Sequence, residues 1–248
     1  MNSKEIFDKP ENRVLLVVCA RNQIRNIGIG GLIWGILNTV IGAFAVQVDL
    51  INSGILLLGL LMLGAGINAL RRPSLNAILL EAFVSLSLFV WNVFITVVNT
   101  LAGAPVSAQG LIFPAIIAVV FFDQHKKLGH LKDMIAAMPA EDLKRAKTIC
   151  KELQRKKVRK EPNIVESTDR KFRLALTGDR IFCFRRDLLR AFYLSKTEFQ
   201  SLLGELAKKN LRMIVEHPLG KLKPAFNRKN SEKIKSWLAP EPQTGLRG

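Results

Sequence analysis

Hydrophobic positions along this chain come in two textures. In the first half, four long apolar runs, 27–46, 50–70, 78–101 and 104–122, are separated by short polar connections. After residue 122 the runs give way to short alternating and helical patterns set among many charges. A helix needs roughly 20 residues to cross a hydrocarbon core of ~30 Å, and each run is long enough. The pattern predicts an α-helical polytopic membrane protein with four transmembrane helices over 27–122. Glu81 is the one acid inside a predicted span.

The second texture predicts a small α+β unit with an antiparallel sheet over 163–238. Phe172, Leu174 and Leu176 alternate with Lys171, Arg173 and Ala175, the period of a strand. Gly178 and Asp179 supply a tight turn, 181–184 returns as the partner strand, and 191–194 is a third. Ser195 with Glu198 is a capping box. Phe199, Leu202, Leu203 and Leu206 follow at helical spacing, so a helix through Leu206 is expected. Met213 and Val215 mark another strand, and 231–238 a final helix carrying Ile234 and Trp237. Between the two halves, 123–162 is a basic linker whose helix opens at Pro139 and runs to about Val158. Residues 239–248 are expected to be a loose tail.

Charge sharpens this division. The chain of 248 residues has 37 Lys+Arg against 20 Asp+Glu, yet 49% of it is hydrophobic. A net +17 and this apolar content coexist because they occupy different segments, which excludes an ordinary soluble globule, a disordered chain and a disulfide-stapled module. Basic residues also set the orientation. Lys4, Lys9, Arg13, Arg21 and Arg25 precede the first run, Arg71 and Arg72 lie in the second connection, and the first and third connections have none. The positive-inside rule then places both termini in the cytoplasm. Residues 1–26 are expected to form an amphipathic lead-in, with 13–25 lying on the inner surface. No cleavable signal peptide is expected. Cys19, Cys150 and Cys183 all fall on the reducing side, where no disulfide is expected; Cys19 is close enough to the membrane for acylation, although a free thiol is the favoured reading.

Two sets of residues are candidates for function. Lys144, Arg145, Lys147, Lys151, Arg155, Lys156, Lys157, Arg159 and Lys160 crowd into one segment with a single acid, Glu152. Such a segment suits contact with anionic lipid, at about 1 kcal/mol per basic residue, or simple solvation. Nucleic acid is disfavoured because no recognition motif accompanies the charge. Asn38, Glu81 and Asn92 are intramembrane polar residues, expected to bond to neighbouring helices or to line a solute path. Glu81 is near enough to one end of its span to reach water or pair with Arg71 or Arg72. Gly31 and Gly35 form a small-residue pair that favours close packing of the first two helices, and Pro114 is expected to kink the fourth. No phosphate loop, dinucleotide fingerprint, metal-ligand pair or nucleophile motif is present, so no cofactor, metal or enzymatic activity is expected. His125 and His130 are too far apart to share a helix face, and Tyr193 reads as a core residue.

The run LALTGDRIFCFRRDLLRAFYLSKTEF, from Leu174 to Phe199, resembles the strand–turn–strand–strand of bacterial pleckstrin-homology-like domains attached to membrane helices, the YcxB-like type among them. Leu176-Thr177 before the turn, the bend at Arg185 and Arg186, and the strand ending at Ser195-Lys196 carry the likeness, and the terminal helix fits it. The resemblance covers about 164–238. A helix over 199–206 departs from it, because many such domains have strands there. It implies a binding or assembly module in a bacterial inner membrane, and it transfers no catalytic residues. The sequence thus favours a membrane protein that presents a basic cytosolic domain to inner-leaflet lipid or to a protein partner. A small transporter or channel built by homo-oligomerisation around Asn38, Glu81 and Asn92 is the alternative.

Overall fold

The computed structural model describes residues 3–103, 109–154, 163–206 and 210–239. It forms two compact units, a helical one, Ala20–Ala137, and an α+β one in which Met1–Cys19 joins Met138–Gly248. A single helix, α2 (Pro10–Val48), runs through the boundary.

The helical unit continues with α3 (Ser53–Arg71), α4 (Leu75–Leu101), α5 (Gln109–Gly129) and α6 (Lys132–Ala137). Three stretches are long and apolar enough to cross a membrane: α2, 50–71 (α3 with the 3-10 turn before it) and α4. The fourth predicted run is not matched in this way. Residues 104–108 lie outside the described residues, and α5 carries Asp123, Lys126 and Lys127. Pro114 stands inside α5.

The lead-in and the first span form one helix. Pro10 sits at its first position, where the missing N–H costs nothing, and no glycine or proline interrupts it before Gly28. The 13–25 segment is not a surface helix: Leu15, Leu16, Val17, Val18, Cys19 and Ala20 are all buried. Six consecutive buried positions exceed one helical turn, so no side of this stretch is left free to face a bilayer surface.

Small residues set the spacing of α2 and α3. A Cβ on Gly35 would lie 2.7 Å from the Leu63 amide nitrogen, and one on Gly59 would lie 2.6 Å from that of Thr39. The two backbones therefore touch, as dispersion-driven packing of apolar helices requires. Ser74 caps α4 by accepting the Ala77 N–H at 3.3 Å. Outward positions such as Ile33, Phe44, Leu57 and Val90 are large, apolar and exposed. Gly59→Leu is expected to force α2 and α3 apart and lower the thermal unfolding midpoint of the detergent-solubilised protein by several degrees. An unchanged midpoint would mean that this contact does not hold the hairpin.

The α+β unit contains α1 (Ser3–Asp8), α7 (Ala140–Gln154), β1 (Ile164–Glu166), β2 (Phe172–Thr177), β3 (Arg180–Arg185), β4 (Ala191–Ser195), α8 (Lys196–Leu202), β5 (Leu203–Leu206), β6 (Asn210–Met213), β7 (Val215–His217), β8 (Gly220–Leu222), β9 (Ala225–Phe226) and α9 (Arg228–Leu238). The first four strands form an antiparallel meander in the order β1-β2-β3-β4. The predicted β2–β3 turn is present: Thr177 pairs with Arg180, and Gly178 takes φ +52, which a side chain would resist. A second sheet, β5-β6-β9, and a β7-β8 pair follow. The capping box at Ser195 and Glu198 forms, but α8 ends at Leu202. Leu203–Leu206 is a strand rather than the predicted end of that helix, because its backbone pairs with β6, Leu203 opposite Met213 and Leu206 opposite Asn210.

One core joins these elements. Val165, Leu174, Cys183, Phe192, Phe199, Met213 and Phe226 pack with Ile234 of α9 and with Ile6 and Phe7 of α1. Ser231 ties α9 to the second sheet: its hydroxyl accepts the Leu211 N–H at 2.9 Å and donates to the Phe226 carbonyl at 3.1 Å. Arg173 is buried and its Nε donates to Glu166 at 2.7 Å, across the β1–β2 pair. Asn12 borders β4 like a strand partner. Its amide donates to the Tyr193 carbonyl at 2.9 Å, and its oxygen accepts the Tyr193 N–H at 2.6 Å. Lys9 pairs with Glu198 at 2.8 Å, and Glu11 with Arg180 at 3.1 Å. The N-terminal segment is therefore part of this fold.

Candidate functional site

Three turns meet at one end of the α+β unit. In the β1–β2 turn, Ser167 accepts the Phe172 N–H at 2.9 Å and donates to the Asp169 carboxylate at 2.5 Å, which also accepts the Lys171 N–H at 3.1 Å. The Ser167 hydrogen bond holds the Asp169 carboxyl below the ordinary carboxylate range. Arg170 in this turn has φ +57. The β3–β4 turn is braced by Asp187, which takes the Arg185 guanidinium at 2.7 Å and the Leu189 N–H at 3.0 Å. The Arg186 N–H donates to the Lys171 carbonyl at 2.9 Å and joins these two turns. The Thr168 N–H donates to the Ala225 carbonyl at 2.7 Å, which brings in the segment after β8.

The result is an open niche of about 150 Å³, lined by Asp169, Lys171, Phe172, Arg185, Lys221, Leu222, Lys223 and Pro224. Four cations and one acid face this space. Lys171, Lys221 and Lys223 are exposed, and Lys221 reaches Glu216 at 3.0 Å. Hydrogen-bonded turns fix where these side chains start; the Arg185 guanidinium is held by Asp187, while the three lysines lie at the surface. Such a surface can receive phosphate-bearing groups by charge-assisted hydrogen bonds.

The nine basic residues singled out from the sequence are placed differently. Leu143, Ala146 and Cys150 form the buried side of α7; Lys144, Arg145 and Lys151 are exposed and Lys147 is half-buried. Arg155, Lys156, Lys157, Arg159 and Lys160 lie outside the described residues. Arg145 lines a second opening, about 360 Å³, with Glu11, Asp142, Arg180 and Tyr193. Two acids offset its two arginines. Tyr193 is half-buried there rather than a core residue, and desolvation pushes its phenol up.

The intramembrane candidates are also separated. Asn38 is buried, but its amide donates to the Trp34 carbonyl of its own helix at 2.8 Å, not to a neighbouring helix as expected. Asn92 is half-buried and its carbonyl accepts the Thr96 hydroxyl at 2.7 Å. Glu81 is fully buried, while Arg71 and Arg72 are exposed, so its carboxyl is neither at the surface nor paired with them. The three cysteines are free and buried. Burial pushes the Cys150 thiol up to about 12, which makes it a poor nucleophile, and full burial of Cys19 shields it from acylation. Among the described residues no cluster of His, Cys, Asp and Glu could hold a metal ion.

The sequence reading missed Lys171, Arg185, Lys221 and Lys223. Lys171 belongs to the strand alternation and Arg185 to the bend that the sequence marks, but the convergence of all four depends on long-range strand pairing. No protein-family model matches this chain, and no curated protein or solved structure shows significant similarity to it.

Proposed function

We propose that this protein is anchored by four membrane helices, with both termini cytoplasmic, and that its α+β unit docks on the anionic headgroups of the inner leaflet. The niche between the three turns carries this reading, because it gathers Lys171, Arg185, Lys221 and Lys223 on braced backbone. Each cation held at an anionic membrane surface contributes about 1 kcal/mol. A pleckstrin-homology-like fold is supported by the four-stranded meander, the second sheet and the closing helix α9. The strand at Leu203–Leu206 strengthens that likeness, since it lies where a predicted helix had departed from it.

The test uses the full chain in lipid nanodiscs, with hydrogen exchange read peptide by peptide. In discs containing phosphatidylglycerol, peptides covering 167–171, 185–190 and 220–224 are expected to exchange more slowly than in phosphatidylcholine discs. High salt should remove the difference, as screening requires. The triple variant Lys171→Glu, Lys221→Glu, Lys223→Glu should show no difference at any salt. Equal exchange of the unaltered protein in both discs would exclude headgroup docking and favour a protein partner.

A further inference from the structure

Glu81 lies in the second turn of α4, and its side chain is fully buried by the protein itself. Neither carboxyl oxygen has a hydrogen-bond partner among the described residues. The same holds for the buried hydroxyl of Ser85, one turn further along the same face. The carboxyl is set against α2 at Gly31. A Cβ on that glycine would lie 2.8 Å from Cδ and Oε1 and 3.0 Å from Oε2. Gly31 is the absence of a side chain that lets the acid fit.

An acid in this position is under strong constraint. A buried carboxylate without a partner costs several kcal/mol, so its charge must be offset by something bound to it. Ion pairing does not do this, because no ion pair among the described residues includes Glu81. A metal ion needs several oxygens, and no metal-binding group forms among the described residues. Close packing against Gly31 leaves no room on that side for an ion with its water. A proton meets every one of these constraints.

We infer that Glu81 is a proton-exchanging site inside the helical unit, with Ser85 as the hydroxyl neighbour that its carboxyl can engage. The step is the uptake of one proton by a carboxylate oxygen and its return to water, and only that O–H bond forms and breaks. Intramembrane acids that face other helices serve as proton relays in this way. The inference does not depend on the headgroup surface of the α+β unit.

The experiment treats the full chain in liposomes with dicyclohexylcarbodiimide, an apolar reagent that adds to a protonated carboxyl and rearranges to a stable N-acylurea. Peptide mass spectrometry should find the adduct on Glu81, and Glu81→Gln should lose it. Labelling should fall as buffer pH is raised, because exchange with water removes the proton the reagent needs. Gly31→Ala, whose methyl would press on the carboxyl, should label less. Absence of the adduct in protein with native hydrogen exchange would overturn the proposal. So would labelling that ignores pH, which marks a sealed acid, or protection by sodium at constant pH, which marks an alkali-ion site. The pH and sodium arms use the unaltered chain and hold even if a variant fails to fold.

Discussion

Phe7→Ala is expected to destabilise the α+β unit by ~3–5 kcal/mol, the range for removing a buried aromatic from a core. Phe7 is 5% exposed, although only six residues separate it from the start of the sequence. Its ring meets Phe192 of β4 edge-on at 5.4 Å and His217 of β7 at 4.8 Å. Truncation would open a hole between the meander and the β7–β8 pair, and the stiff strands around it can collapse only in part. A domain with ordinary stability of about 5–15 kcal/mol would lose a large fraction of it. Asn12→Ala should also destabilise the unit, since it removes both bonds to the Tyr193 backbone and a third, 2.7 Å long, from its amide to the Ile6 carbonyl. Hydrogen exchange of the full chain in detergent provides the measurement. Peptides from β2, β3 and β4 should lose protection, whereas those from α3 and α4 should keep theirs. A loss below ~1 kcal/mol would mean that α1 lies on the surface of the core and does not complete it. A fragment starting at Met138 lacks α1 and Asn12, so it is expected to fail to fold for the same reason.

This contribution could not be read from the sequence. Ile6 and Phe7 stand alone among polar neighbours, and two apolar residues show no period. Nothing local indicates that strands more than 150 positions away will cover them. The same limit applies to the basic niche, where the turns are local and their meeting is not. Local chemistry was legible: Gly178 takes the positive φ its turn demands, and Ser195 and Glu198 close the expected box. Three of the apolar runs became helices fit to cross a membrane because length and hydropathy are sums over a single segment. Boundaries were less legible. Arg21 and Arg25 made the first span seem to start after them, yet both are only half-exposed within one continuous helix, and the Arg21 guanidinium donates to the Ile135 carbonyl at 3.1 Å. Leu203 to Leu206 shows the opposite failure. Its leucine spacing extends a helix on paper, but the β6 backbone offers hydrogen bonds that α8 cannot match.

Acid is expected to loosen the same core through His217. The ring is 4% exposed and stands between Phe7 and Phe192. Its Nδ1 accepts the Leu219 N–H at 3.0 Å, so the neutral ring carries its proton on Nε2, a buried atom without a partner among the described residues. Burial first, and the nearby Arg190 charge second, push His217 down from 6.5 to about 3. The folded state therefore resists a proton that the unfolded chain takes up readily. Stability from this group is full above the ordinary value of 6.5 and is lost as pH falls toward about 3. The whole window is worth roughly 5 kcal/mol, of which about 2 should be gone by pH 5. The interval from 6.5 to 5 isolates the histidine. Asp169 and Glu198, both held below the usual carboxylate values, stay ionised until the pH is lower still. Protection factors of the β2–β4 peptides, corrected for intrinsic exchange, should drop across that interval in the unaltered chain. In His217→Phe they should start lower, because Leu219 loses its acceptor, and then stay flat. An equal slope in the variant would place the acid-sensitive group elsewhere. A flat profile in both would mean that water reaches the ring and that Phe7 does not seal the core above it.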